Sequence, residues 1–288
     1  MKVRSKRLED AYAYCERVTR QHYENFPVAS LLIPRKYRPS IASIYAYARA
    51  ADDIADEGSH PPSERLRRLD EWEQKLDGCL AGKADDDVFV ALADTVERTG
   101  ITRQPLADLL TAFRMDVTQS RYQTFDDLRN YCSYSANPIG QLVLSVFQAS
   151  TPVTISYSNA ICTGLQLANF WQDVSVDLRK PRIYIPLEDI DRFGYTEHEL
   201  MHGIVNGPFR ELIRFQVDRT ERFFDEGRLL PGLVGRDLRF ELRLTWHGGM
   251  AILKKIRAMN FNVLEGRPRI TAGDVVLLMA RSFFGRRP

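Results

Sequence analysis

The sequence predicts an all-α fold, and three observations carry that prediction. Apolar residues recur at three- and four-residue spacing almost throughout, the mark of helices with one buried face. No segment alternates apolar and polar residues for long enough to form a sheet. The breaks between periodic segments are short and rich in proline or glycine, as between antiparallel helices. With no internal repeat and no Ser/Gly linker, one mostly helical domain is expected over residues 1–288.

The elements follow in order. Leu8, Ala11, Tyr12, Cys15, Val18 and Thr19 mark one face of a first helix. An apolar, proline-bracketed connection runs through Phe26 to Pro34. A long helix from about Pro39 to about Asp56 is stopped by Gly58 and Pro61-Pro62. Ser63 caps a charged helix to about Leu80, and a short one from about Val88 to about Arg98 ends at Gly100. Helices from about Thr102 to Ser120 and from about Phe125 to Gln148 come next, the second carrying Pro138 and Gly140. A helix from about Val153 to Asp177 precedes a loop near Arg179 to Pro186. The last hundred residues or so read as two or three helices broken near Pro231-Gly232 and Pro268.

Composition narrows the function classes. Of the 288 residues, 44% are hydrophobic and 27% charged, ordinary for a soluble globular protein. The net charge of +2 gives no reason to expect nucleic acid as a partner. Cys15, Cys79, Cys132 and Cys162 lie far apart in apolar or amphipathic stretches, and read as buried free thiols in a reducing compartment. No run approaches the ~18 apolar residues of a transmembrane helix, and the basic first residues have no apolar segment behind them. A cytoplasmic location is expected, possible contact with the inner face of the membrane included.

Two acidic helix ends stand out. Asp52 and Asp56, in Asp52-Asp53-Ile54-Ala55-Asp56, share one helix face, with Arg49 and Tyr45 one and two turns earlier. Asn169, Asp173 and Asp177 recur every four residues late in another long helix, followed by Lys180, Arg182 and Tyr184. Like charges at a helix C-terminus repel each other and oppose the helix dipole. One such pair is by default a solvated helix end. Two, each beside a cation and in apolar surroundings, argue for a ligand. Carboxylate oxygens suit a hard cation such as Mg²⁺, which takes one or two of them and fills its shell with water and phosphate. Two such faces opposed across a bundle would hold several ions bridged by one diphosphate, and Arg49, Lys180 and Arg182 would neutralise the rest of its charge.

These motifs resemble the paired aspartate-rich motifs of the squalene and phytoene synthase family, and the resemblance covers nearly the whole chain. Tyr131 to Gly140 resembles the family's tyrosine-led central motif. The run His22 to Pro34 resembles the branch of bacterial hopanoid biosynthesis that forms hydroxysqualene. The resemblance implies an isoprenoid synthase helical bundle with a central apolar cavity. It implies two or three Mg²⁺ ions held by Asp52, Asp56, Asn169 and Asp173 with Asp177 in support, and diphosphate contacts from Arg49, Gln166, Arg182 and Tyr184. Three departures bear on the reaction. Tyr23-Glu24-Asn25-Phe26 stands where condensing members often carry a Ser-Lys-Ser-Phe segment, Asn137-Pro138 where Ala-Gly is usual, and Gly248-Gly249 where many carry an aromatic hydroxyl.

The reading that fits is ionisation of presqualene diphosphate and capture of the carbocation by water, giving hydroxysqualene with no need of NADPH. An upstream presqualene diphosphate synthase and a downstream hydroxysqualene dehydroxylase are the implied partners. Phe26, Tyr45, Tyr131, Tyr134, Phe170 and Trp171 are candidates for facing the cation, and Asn137 and Tyr131 for placing the water. The rivals are head-to-head condensation of two farnesyl diphosphates and a non-catalytic helical assembly factor.

Three further features are weighed against plain structure. His198-Glu199-Leu200-Met201-His202 matches a zinc-protease motif, but Thr196 and Glu199 form a capping box and Gly203 ends the helix. Arg114, Asp116, Arg121 and Tyr122 read as a solvated face, with a cavity mouth as the alternative. The apolar, then basic, stretch from Val275 to Pro288 reads as a last core helix, with a membrane surface as the alternative.

Overall fold

A computed structural model describes residues 5–21, 33–180 and 182–284. In chain order its helices are α1 (Lys6–Gln21), α2 (Arg38–Asp56), α3 (Pro62–Leu80), α4 (Asp87–Thr99), α5 (Arg103–Thr118), α6 (Phe125–Ser135) and α7 (Asn137–Val146). They continue as α8 (Pro152–Asp177), α9 (Leu187–Arg192), α10 (Glu197–Met201), α11 (Gly207–Gly227), α12 (Leu230–Leu233), α13 (Arg236–Ala258) and α14 (Ala272–Phe284). Among the described residues the β-type pairing is a single bridge, Arg121 to Ile183. None of the described helices is long and apolar enough to cross a membrane.

Two expected boundaries are corrected. The single helix expected from Phe125 to Gln148 is two, α6 and α7, broken at Ala136. Pro138 has no N–H to give and its ring collides with the preceding turn, so it is accommodated only in the first turn of a new helix. From Leu187 onward there are six helices among the described residues, not two or three. The additional ones, α9, α10 and α12, are six, five and four residues long, too short for a helical period to register.

The chain divides into two compact units, Met1–Thr118 with Pro138–Thr151, and Gln119–Asn137 with Pro152–Pro288. The first unit buries Tyr12, Tyr47, Leu69, Leu76, Phe89 and Leu92 in one core. Its buried hydroxyls are paired, as burial requires. Tyr12 donates to Asp94 at 2.6 Å, Thr95 lies 3.0 Å from Tyr12 and 2.8 Å from Ser43, and Tyr47 donates to the Leu106 carbonyl at 3.1 Å. Asp86 caps α4 by accepting the Phe89 N–H at 3.0 Å, and Gly100 closes it in the left-handed conformation, φ 71°.

The second unit is built on α8, which packs along α11. Trp171 is fully buried and donates its indole N–H to Thr220 at 2.7 Å. Asp189, also buried, accepts from Gln216 and from both terminal nitrogens of Arg219. All four cysteines are free thiols, and Cys15, Cys79 and Cys132 are buried, as the sequence suggested.

Close helix approach in this unit depends on glycine. A Cβ on Gly227 would collide with Ile161 Cγ1 and lie 2.8 Å from the Tyr157 carbonyl oxygen, which the α8 ladder holds in place. Gly227→Ala is therefore expected to destabilise the protein by about 2 kcal/mol. A lowered urea midpoint at unchanged slope checks it, and an unshifted midpoint contradicts it.

Candidate functional site

In the first unit the acidic end of α2 is organised by two arginines. Arg49 reaches Asp52 at 3.1 Å, Asp53 at 2.5 Å and Glu57 at 2.7 Å. One guanidinium thus offsets the repulsion among three acids at a helix C-terminus. Arg65, just inside α3, donates to the carbonyls of Ala55, Gly58 at 2.9 Å and His60 at 3.0 Å. It satisfies acceptors that the end of α2 leaves open and so fixes the acids in place. Asp56 is half-buried one turn beyond Asp52. Tyr45 is half-buried on the same side, and its phenol pKa is raised by burial and by Asp52 and Asp53, against the pull of Arg49.

In the second unit the acids sit at the end of α8. Asp173 accepts two hydrogen bonds from Arg267, one on each carboxylate oxygen, the Nη2 bond at 3.0 Å. Its neighbour Gln172 is buried and donates to the Pro268 carbonyl at 2.6 Å. The segment between α13 and α14 is thus pinned to α8 at two adjacent residues. Burial first, then the charge of Asp173, pushes the Asp177 carboxyl up to about 6, while Lys180, Arg182 and Arg267 pull it down. Asp177 lines a narrow cleft with Phe170, Val174, Arg182 and Tyr184.

An aromatic group lies beside these acids. Tyr184 stacks on Phe170 with ring centres 3.8 Å apart and planes 12° from parallel. Tyr131 lies 6.1 Å from Phe170 and 6.2 Å from Tyr184, and Tyr122 lies 5.6 Å from Tyr131. Such faces present negative charge density to a cation.

The structure therefore brings Asp173, Asp177, Arg182, Tyr184, Phe170 and Tyr131 into one neighbourhood, and Tyr45, Arg49, Asp52 and Asp56 into another. Asn169 is exposed and Gln166 half-buried on α8. Tyr134 is half-buried on α6. Trp171 belongs to the core between α8 and α11. Asn137 accepts the Thr163 hydroxyl at 3.0 Å and lines a separate polar pocket with Arg129, Asn130 and Ser133. Phe26, with the segment Tyr23 to Asn25, lies outside the described residues.

Thr196 and Glu199 form the capping box, and the other Glu199 oxygen accepts from Asn206 at 3.0 Å, so this glutamate is fully engaged. Arg114 holds Asp70 and Glu73, and Arg121 holds Glu197. Arg65 and Arg267 escaped the site reading of the sequence, and Tyr122, whose default reading was a solvated face, is buried in the Tyr131 ring group. Arg267 stands in Gly266-Arg267-Pro268-Arg269, a cationic turn that offered a weak signal.

The donors at both helix ends are all oxygen, the chemistry Mg²⁺ prefers. Among the described residues no three acidic, histidine or cysteine side chains converge as a ready-made metal cage. An ion needing only one or two carboxylates, with water and phosphate completing its shell, fits that arrangement.

Comparison with known proteins agrees with this architecture. Squalene synthase HpnC from Alicyclobacillus acidocaldarius superposes with a TM-score of 0.86 at 39% identity, over 90% of this chain and 97% of that one. The fold is that of the helical isoprenoid synthases. The 15-cis-phytoene synthase of Synechocystis sp. is 35% identical over 284 residues, 94% of this chain and 84% of the relative. Phytoene synthase of Arthrospira platensis is 37% identical over 271 residues, 90% and 87% of the two chains. The family model for squalene/phytoene synthase matches residues 19–274, across both units. The chain belongs to the squalene/phytoene synthase family, enzymes of isoprenoid biosynthesis.

Proposed function

We propose that the chain is a hydroxysqualene synthase, which ionises presqualene diphosphate and lets water capture the rearranged carbocation. The observation that carries this reading is the end of α8, where Asp173, Asp177, Lys180, Arg182 and Arg267 gather beside the Phe170–Tyr184 stack. Charged groups at that point suit a departing diphosphate, and the aromatic faces suit the cation it leaves behind. The departures at Glu24, Asn137-Pro138 and Gly248-Gly249 favour uptake of an already condensed substrate. A Cβ on Gly248 would meet nothing within 4 Å, whereas one on Gly249 would collide with the Phe224 ring, so the pair lets α13 pack closely on Phe224 without an aromatic side chain of its own.

Asp52 and Asp56 in one unit, and Asn169, Asp173 and Asp177 in the other, are the residues that would hold Mg²⁺, which when bound stabilises the leaving diphosphate. Arg49, Gln166, Arg182 and Tyr184 bind the diphosphate. Arg267, released when Asp173 takes another partner, adds a planar donor pair to it. The C–O bond to diphosphate breaks with its electron pair on the leaving oxygen. A water lone pair then forms the new C–O bond, and the water proton passes to diphosphate. Tyr131 places that water better than Asn137, whose amide oxygen is engaged by Thr163. An upstream enzyme supplies presqualene diphosphate and a downstream one removes the hydroxyl.

The names of the relatives favour a second reading, head-to-head condensation of two prenyl diphosphates. Purified protein is given presqualene diphosphate with and without Mg²⁺, and farnesyl diphosphate alone. Hydroxysqualene from the first substrate, only with Mg²⁺, is expected. Presqualene diphosphate or squalene from farnesyl diphosphate alone establishes the second reading, and turnover of neither rejects both.

A further inference from the structure

Contacts fix three sides of α13. Trp246 and Arg257 turn to α11, Trp246 donating to the Phe224 carbonyl and Arg257 to Asp218, each at 2.8 Å. Gly249 lies against the Phe224 ring and against Leu165 of α8. Phe240 and Arg243 turn to α14, where they meet the Phe283 ring and the Ser282 carbonyl. Helix geometry puts Glu241, Gly248 and Ile252 together on the fourth side. At Gly248 that side has room, since a Cβ there would meet nothing within 4 Å. Yet it carries an acid. Glu241 Oε2 is shut off from solvent with no hydrogen-bond partner among the described residues.

The same contacts place this side beside the acids of α8. On α8, Gly164 and Trp171 face Phe224 and Thr220 of α11, and Leu165 faces α13. Gln166, Asn169 and Asp173 then turn away from α11, as the Glu241 side of α13 does. The two helices run parallel, because each is antiparallel to α11. Glu241 and the acidic face of α8 therefore belong to one wall. Glu241 stands eight residues before Gly249, and Asp173 eight residues after the Leu165 level with it. The helical rise separates the two acids by about 24 Å along that wall.

A prenyl substrate with its diphosphate at the end of α8 lays a hydrocarbon tail along this wall. We infer that the Glu241 carboxyl is the stop at the far end of that tail, the residue that selects prenyl chain length. Diphosphate and its counter-charges fill the first part of the span. The remainder takes an extended fifteen-carbon chain and is short for a twenty-carbon one. One isoprene unit more would press alkyl carbon onto a buried oxygen that it cannot hydrogen-bond. The inference rests on the diphosphate site proposed above and adds to it the length of chain accepted.

The test is calorimetric binding of two inert compounds, farnesyl and geranylgeranyl thiolodiphosphate, with Mg²⁺ at pH 6. The carboxyl, pushed up to about 7 by burial, is then protonated. Wild-type protein is expected to bind the farnesyl compound at least about tenfold more tightly. Glu241→Ala clears the stop and should bring the two affinities within about threefold of each other. Glu241→Gln has the same size and should keep the gap. Thermal melts confirm that both variants fold. Equal affinities in the wild type, an unchanged gap in Glu241→Ala, or a closed gap in Glu241→Gln overturns the proposal. Binding of neither compound overturns it together with the diphosphate site. None of these readouts needs turnover, so a wild type that discriminates the two chains yet forms no hydroxysqualene refutes the reaction and leaves the stop in place.

Discussion

Replacing Asp173 with asparagine is expected to lower the rate of diphosphate release from the prenyl substrate by about 10³-fold with the fold unchanged. The substitution keeps size and hydrogen-bonding capacity and removes one charge. That charge is the one Arg267 grips through both oxygens, and the one that helps push the Asp177 carboxyl up. Without it the end of α8 keeps its cations and loses the acid that balances them, so it no longer distinguishes bound from departing diphosphate. Asp52 gives a less sharp test, because Arg49 retains Asp53 and Glu57 as partners when Asp52 is neutralised. Single-turnover release of labelled diphosphate, beside circular dichroism and a thermal melt, makes the measurement. A rate within about tenfold of the wild type, with the fold intact, removes Asp173 from the chemistry.

Glu241→Gln is expected to stabilise the protein by about 3 kcal/mol near pH 8 and by almost nothing near pH 4.5. The Glu241 carboxyl sits on α13, one of its oxygens buried with no hydrogen-bond partner among the described residues. Burial alone pushes it from its ordinary 4.5 up to about 7. The folded chain therefore holds this proton over a pH range in which the unfolded chain has released it. Stability from this group is full below 4.5, falls as pH rises, and has gone above about 7. Glutamine stays neutral throughout, so the two proteins separate as pH rises. Urea denaturation at the two pH values checks the sign. A difference independent of pH would show that the carboxylate has a partner after all.

How far the sequence could be read depends on the range of each interaction. The acids of α2 and α8 were legible because helix geometry alone places residues four apart on one face. The break at Pro138 was visible in type but not in consequence, since periodicity continues through it and only the missing N–H ends the helix. The two-turn helices after Leu187 were too short to show a period. The counter-charges were the least legible. Arg49 sits within a turn of Asp52, whereas Arg267 meets Asp173 across 94 residues, and no spacing rule connects them. Tyr122 read as part of a polar face, yet it is 2% exposed and joins the Tyr131 ring group. Nothing local to that tyrosine says which neighbours it will bury against.

The pinning of α8 to the segment beyond α13 has a consequence for biosynthesis. Gln172 and Asp173 meet their partners at sequence separations of 96 and 94 residues. While the chain is being made, α8 emerges long before Arg267 and Pro268 exist to receive it. During that interval two neighbouring acids stand at a helix terminus with no guanidinium on Asp173, and closing so large a loop is entropically slow to be repaid. The acidic end of α8 is thus among the last parts of the molecule to take its final form, and a nascent chain ending before residue 267 cannot hold it.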